Sequence, residues 1–221
     1  MSTSPIPCGR PLSRRDLLIT TVQSACGVGL IGFGLGLYAQ HATALPAWAL
    51  RPPGAQPEDD FNGICLRCGL CVRACPFEML HLARLGQPIT TGTPYFIARE
   101  AGCEMCPEIP CVTACPSNAL NHDLTDIRSA DMGLAVLIDP QHCLAVRGEA
   151  CQVCVDSCPI SGDAISLAPA SWVTSEQAQA IPIPVIHPER CTGCGKCEET
   201  CVLDQAAIKI LPRALCAKAG L

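Results

Sequence analysis

The stretch CLRCGLCVRACP, Cys65 to Pro76, sets four cysteines at gaps of two, two and three residues and closes on proline. Three thiols on so short a loop can face one point. The fourth, carried past a short helical turn, points the other way. The pattern then recurs. A second unit has Cys103, Cys106, Cys111 and Cys115 before Pro116, and a third has Cys143, Cys151, Cys154 and Cys158 before Pro159. A fourth has Cys191, Cys194, Cys197 and Cys201, with Val202 in place of the proline. Sixteen of the nineteen cysteines are used, and a pattern recurring through most of a chain fixes its organisation.

The first unit matches the bacterial run C-x2-C-x2-C-x3-C-P, whose thiolates hold [4Fe–4S] clusters; in two-cluster ferredoxins the fourth cysteine of a run ligates the other cluster. All sixteen cysteines are therefore expected as iron ligands of four [4Fe–4S] clusters. Two other uses compete. A disulfide framework is a fair prior in an exported chain, but C-x-x-C pairs with a fixed three-residue gap before a last cysteine are a poor way to space bridges. Structural zinc takes C-x-x-C pairs separated by longer loops. The third unit departs most, with seven residues between Cys143 and Cys151. A [3Fe–4S] cluster there is unforced, since a fourth cysteine is present.

The flanks of the units repeat as well. TPYFIAREAGC, GLAVLIDPQHC and IPVIHPERC precede three of them as strand-like runs followed by a turn. FEMLHLA, SNALNHD, SGDAISLA and DQAAIKIL follow the last cysteines as short apolar pieces. Short apolar runs bounded by Pro, Gly and Asp read as strands. Each unit is thus strand, ligand loop, helical turn, strand. The expected class is α+β, with tandem ferredoxin-like units over residues 61–90, 91–125, 132–170 and 182–212 and a tail over 213–221. RPPGAQPEDD, Arg51 to Asp60, is rich in Pro, Gly and charge and reads as part of a linker over 45–60.

Aromatic residues make up only 4% of the 221, too few for a conventional core. Small units of that kind need disulfides or metals as staples. Metal–ligand bonding takes over part of the work of apolar burial and couples folding to cluster insertion. The formal charge is −5, and thiolate-held clusters would make the loaded protein more acidic still. Docking on basic surfaces, weakened by salt, is expected. The 15 Lys and Arg are scattered without an aromatic platform, so nucleic acid is not expected as a partner. No catalytic constellation, P-loop or dinucleotide fingerprint stands out, and the residues point to an electron carrier rather than an enzyme. Of the histidines, His142 adjoins Cys143 and could donate to a cluster sulfur, although a surface turn residue is the simpler reading. Cys8, Cys26 and Cys216 are left over, the last as an unused thiol in the tail.

At the front, Arg14 and Arg15 precede a run from Leu17 to Leu50 without a charged side chain. A basic region, an apolar stretch and Ala42-Thr43-Ala44 have the order of an export signal over residues 1–44, with Ala47-Trp48-Ala49 as a second cleavage candidate. Retention as a membrane anchor is the competing reading. The glycines at 27, 29, 32, 34 and 36 argue against a strong helix, each costing up to about 1 kcal/mol relative to alanine. The paired arginines are of the twin-arginine type. That route carries folded proteins, and a chain whose clusters are inserted in a reducing space needs it, because free thiols threaded into an oxidising one form disulfides. The periplasm is the expected location, with association to the inner membrane through a partner or an uncleaved signal.

These residues resemble the NapG/MauM family of ferredoxin-type proteins of periplasmic nitrate reduction and methylamine utilisation. The resemblance rests on the twin-arginine start, RPPGA, GTPYFIAR, CEMCPEIPC, MGLAVLID and CTGCGKCEETCVLDQAAIKILP. The short end LPRALCAKAGL is closer to the MauM branch. The resemblance implies electrons passing from quinol, through a membrane iron–sulfur partner, to a periplasmic acceptor. A maturation factor for the terminal enzyme, or an electron-transfer subunit of a larger oxidoreductase, is the alternative. Related multi-cluster subunits pair the first unit with the fourth and the second with the third. Carried over, this implies Cys65, Cys68 and Cys71 with Cys201; Cys191, Cys194 and Cys197 with Cys75; Cys103, Cys106 and Cys111 with Cys158; and Cys143, Cys151 and Cys154 with Cys115.

Overall fold

The computed structural model describes residues 14–43, 45–169 and 182–219. Cys8, Ala44 and the end of the tail lie outside the described residues. The chain divides into two compact units, Met1–His41 and Ala42–Leu221. The first is built on helix α1, Arg14–Thr43. Contrary to the expectation from its glycines, α1 is unbroken. A glycine costs a helix about 1 kcal/mol but leaves its hydrogen-bond ladder intact. A Cβ built at Gly27, Gly29, Gly32 or Gly36 would meet nothing within 4 Å, so packing does not demand these glycines. Val28, Leu30, Ile31 and Phe33 are exposed. No helix among the described residues is long and apolar enough to cross a membrane.

In the second unit each repeat contributes one short helix that carries its third cysteine. Cys71 lies on α3 (Leu70–Ala74), following α2 (Glu58–Ile64). Cys111 lies on α4 (Pro110–Thr113), Cys154 on α5 (Val153–Asp156) and Cys197 on α6 (Lys196–Glu199). The fourth cysteine follows at or just past the helix end, as the three-residue gap requires.

The strands tie the repeats together in pairs. β3 (Leu134–Leu137), before the third repeat, runs antiparallel to β6 (Ile208–Leu211), after the fourth, with Leu134 opposite Leu211. β4 (Ile165–Pro169), after the third, pairs with β5 (Pro182–Ile186), before the fourth. The first two repeats follow the same plan with less sheet. β1 (His81–Leu82) pairs with β2 (Pro94–Tyr95), and Ala55 bridges Leu120. The strand expected in SNALNHD is reduced to that bridge. Its partner segment contains Pro52 and Pro53, which have no N–H to give, and Asn118 is in the left-handed region at φ 58°.

That partner segment overturns the linker reading of Arg51 to Asp60. Pro52 and Pro53 are among the most completely buried residues, and α2 starts at Glu58. Arg51, only 6% exposed, donates to Glu58, to the Thr93 hydroxyl at 2.9 Å and to the Pro94 carbonyl at 2.8 Å. Its guanidinium also lies 4.6 Å from the centre of the Phe61 ring. The segment stands where β3 stands in the second half, as the entry strand of its repeat. Local composition marks it as loop, but its burial comes from a partner far along the chain. Leu50 likewise exchanges backbone hydrogen bonds with Phe96, each 2.9 Å. The tail reading is corrected too. Residues Arg213–Ala219 form helix α7, anchored by Arg213 on Asp131 and on the Cys191 carbonyl, and Cys216 within it is buried.

The core runs through both halves. Phe61, Phe96, Leu50 and Leu120 are its largest fully buried apolar side chains. Cys71, Cys103, Cys111, Cys115, Cys194 and Cys197 belong to the same cluster of buried residues. Thiols take the place that aromatic rings hold in an ordinary core.

Candidate functional site

All sixteen repeat cysteines come together, in four groups of four. Cys65, Cys68 and Cys71 share a cavity with Cys115, hereafter the first site. Cys103, Cys106 and Cys111 share one with Cys75, the second site. Cys191, Cys194 and Cys197 share one with Cys158, the third. Cys143, Cys151 and Cys154 share one with Cys201, the fourth. Each loop supplies three thiols and sends its last cysteine to a neighbour, as the spacing predicts. The pairing differs from the one the resemblance implies. The first repeat exchanges with the second and the third with the fourth. The physical reason lies in the strands, since β1–β2 and Ala55–Leu120 lock the first two repeats together, and β3–β6 and β4–β5 lock the last two.

Backbone conformation explains how three thiols reach one cavity. The residue just before the second cysteine is left-handed in three repeats: Arg67 (φ 57°), Met105 (φ 53°) and Gly193 (φ 72°). So is the residue two before the third cysteine: Gly69 (φ 71°), Ile109 (φ 43°) and Gly195 (φ 92°). Alternating handedness curls a loop around a centre and turns its N–H groups inward. For Arg67, Met105 and Ile109 this is a strained choice that the surrounding structure must hold. The third repeat lacks both features and uses its longer gap instead. Leu144 and Ala145, within that gap, line the fourth site with apolar side chains.

The thiols are crowded and mostly buried or half-buried, with Cys68 the exposed one among the sixteen. Burial pushes Cys103 up to about 12, helped by the neighbouring Cys111 and Cys194 thiols and opposed by the Met105 N–H. Burial raises Cys71 to about 12 as well, and Cys111, Cys154 and Cys194 to about 11. Cys197 is pushed well above its ordinary value by burial and then by Cys194, Cys191 and Cys154. Cys115 is the exception. Burial raises it, but N–H groups of Leu120, Ser117 and Ala119 and the Ser117 hydroxyl outweigh burial and lower it.

Four gathered thiolates in an apolar surround need a positive core to neutralise them. Soft thiolate donors in fours select zinc or iron–sulfur clusters. Among the described residues no three His, Cys, Asp or Glu side chains converge as a single ion would require. Each quartet stands around a cavity instead, which suits a cluster of several metals. The residues present therefore fit an iron–sulfur cluster, which when bound would supply one-electron chemistry.

Several neighbours of the sites have no cysteine-type signature. Ser117 lies 3.8 Å from the Cys115 sulfur, and the Ala135 N–H points at the Cys191 sulfur at 3.5 Å. Arg99 donates to the carbonyls of Glu198, Cys201 and Leu203 at 2.7, 2.9 and 2.5 Å, closing the end of α6. It sits inside the quoted motif GTPYFIAR, but nothing local reveals its target. His142 is an exposed turn residue whose Nδ1 lies 2.7 Å from Asp139, not a partner to a sulfur. The Cys26 side chain is exposed on α1.

Residues 64–119 and 147–204 each match the 4Fe-4S dicluster domain family. The first match spans both repeats of its exchanging pair, and the second spans the other pair from just past Cys143. The chain is 49% identical to the methylamine utilization ferredoxin-type protein MauM of Methylorubrum extorquens, over 92% of this chain and 90% of that one. It is 49% identical to the ferredoxin-type protein NapG of Haemophilus influenzae, over 90% of this chain and 71% of that one. NapG of Escherichia coli is 47% identical over 91% and 87% of the two chains. No solved structure matches significantly. With two tandem 4Fe-4S dicluster halves and close relatives of both names along nearly its whole length, this chain belongs to the NapG/MauM family of ferredoxin-type iron–sulfur proteins.

Proposed function

We propose that the protein is a periplasmic electron relay carrying four [4Fe–4S] clusters, each held by one of the four cysteine quartets. The observation that carries this reading is the grouping itself: sixteen thiols stand in four fours, each around its own cavity. Neighbouring quartets also touch electrostatically. Cys71 feels Cys111, Cys103 feels Cys194, and Cys197 feels Cys154. One-electron carriers in such proximity form a series.

Electrons enter from a membrane iron–sulfur partner that oxidises quinol and leave to a periplasmic redox system. Methylamine utilisation and periplasmic nitrate reduction are the two candidate pathways, since relatives of both names match along most of this chain. Export in the folded state by the twin-arginine route, with Cys65 through Cys201 already loaded, reconciles the leader with the thiolate ligands. Purified anaerobically, the protein is expected to contain four clusters per chain by iron and acid-labile sulfide. It is also expected to be reduced by quinol at turnover rate only when the membrane partner is present. Full cluster content without reduction at turnover rate would point instead to a maturation role.

A further inference from the structure

The two halves meet where two ligand loops touch through their backbones. The Cys103 N–H donates to the Cys194 carbonyl at 2.6 Å, joining a ligand of the second site to a ligand of the third. Close by, the Met132 N–H donates to the Thr192 carbonyl at 2.9 Å, and the Thr192 hydroxyl donates to the Met105 sulfur at 3.3 Å.

The seam is lined with glycine because nothing larger fits. A Cβ on Gly102 would lie 2.9 Å from the Lys196 nitrogen and 3.0 Å from the Gly195 carbonyl carbon. One on Gly195 would lie 2.8 Å from the Ala98 Cβ. Real Cβ atoms do not approach so closely, so any side chain here would force the halves apart. Polar ties hold the faces together. Arg99 grips the carbonyls that follow α6, the Gly102 N–H donates to Glu199 at 3.0 Å, and Lys196 bonds Glu199 and Glu104. A structural interface could have been sealed by ordinary apolar side chains. This one is built so that two ligand loops lie backbone to backbone.

We infer that this glycine seam, tied by Arg99, is the electronic junction between the halves, fixing the working order as first, second, third, fourth site. Electron transfer weakens steeply with distance, so the spacing that Gly102 and Gly195 permit decides whether the halves communicate. The step moves one electron. One site is oxidised as its neighbour is reduced, with no bond made or broken and no proton moved. Arg99 is a positioning residue here, acting through the loop that it clamps.

The inference rests on the four-cluster reading, and the test separates the two. The full-length protein is reduced completely with dithionite. Its electron paramagnetic resonance is recorded beside iron and sulfide counts on the same sample. The wild type is expected to show spin–spin interaction extending across all four clusters. In Gly102→Val, four clusters remain but the interaction resolves into two independent pairs. Arg99→Gln, which removes the clamp without adding bulk, is expected to weaken the same interaction and serves where valine prevents assembly. A wild type with four clusters that already behave as two independent pairs overturns the junction and leaves the relay standing. So does a fully loaded Gly102→Val with unchanged interaction. Fewer than four clusters in the wild type overturns the reading beneath it.

Discussion

Cys71, from the first repeat, and Cys115, from the second, line the same cavity. The two thiols are close enough for Cys115 to raise Cys71 electrostatically, after the larger effect of burial. Cysteines of different loops thus serve one centre, and the partner loop is the adjacent repeat.

The pairing can be counted. Cys71→Ser and Cys115→Ser strike one centre in this arrangement, so the double variant is expected to lose a single cluster. If Cys115 served the loop of Cys143, Cys151 and Cys154, the double variant would lose two. Iron and sulfide per chain decide between these outcomes.

Ser117 is placed to tune the first site, 3.8 Å from the Cys115 sulfur. Its hydroxyl and backbone N–H both favour negative charge on Cys115. Hydrogen bonds to cluster sulfurs raise reduction potential, because they stabilise the more negative state. Ser117→Ala removes the hydroxyl bond, worth about 1 kcal/mol, which is a few tens of millivolts for one electron. Redox titration is expected to find one cluster shifted down by that amount and the others unmoved.

Arg51 is nearly buried and bonds Glu58 through two nitrogens. Breaking a fully buried pair from one side costs about 3–5 kcal/mol. Glu58 keeps 26% of its side chain exposed, so solvent takes over part of its charge. Arg51→Met is therefore expected to cost about 2 kcal/mol. Cluster absorbance should then bleach at lower denaturant than in the wild type. Bleaching at the wild-type concentration would show that the entry segment holds without it.

The proposed export signal has two candidate cleavage points, and the packing of the second bears on the choice. Ala49 is fully buried, Leu50 pairs with Phe96, and Trp48 packs edge-on against Tyr95 with ring centres 5.9 Å apart. A cut after Ala49 would remove part of this packing. Cleavage after Ala44 would spare it, so sequencing of exported protein is expected to begin at Leu45. Replacing Arg14 and Arg15 by lysine is expected to leave loaded protein inside the cell.

Much of this molecule can be read from its chain, and the reason is chemical. Cys65, Cys68, Cys71 and Cys75 announce a ligand loop because three thiols must reach one centre over a few residues, a constraint local enough to be written as spacing. The helical turn before each last cysteine follows from the same gap. The strands at Leu134–Leu137 and Ile208–Leu211 show as apolar runs between turns. Arg51 to Ala55 misleads, because prolines and a glycine describe its conformation truly but say nothing of its burial.

Spacing determines which sixteen sulfurs are offered as ligands and that each repeat must surrender its last one to a neighbour. Only the tertiary structure decides which neighbour receives it, because Cys75 and Cys115 leave their own loops with no local feature that names a destination. Strand pairing settles that choice across long stretches of chain. The contact of Cys103 with Cys194, and the reach of Arg99 to the carbonyls after α6, are likewise fixed by packing between segments far apart in sequence.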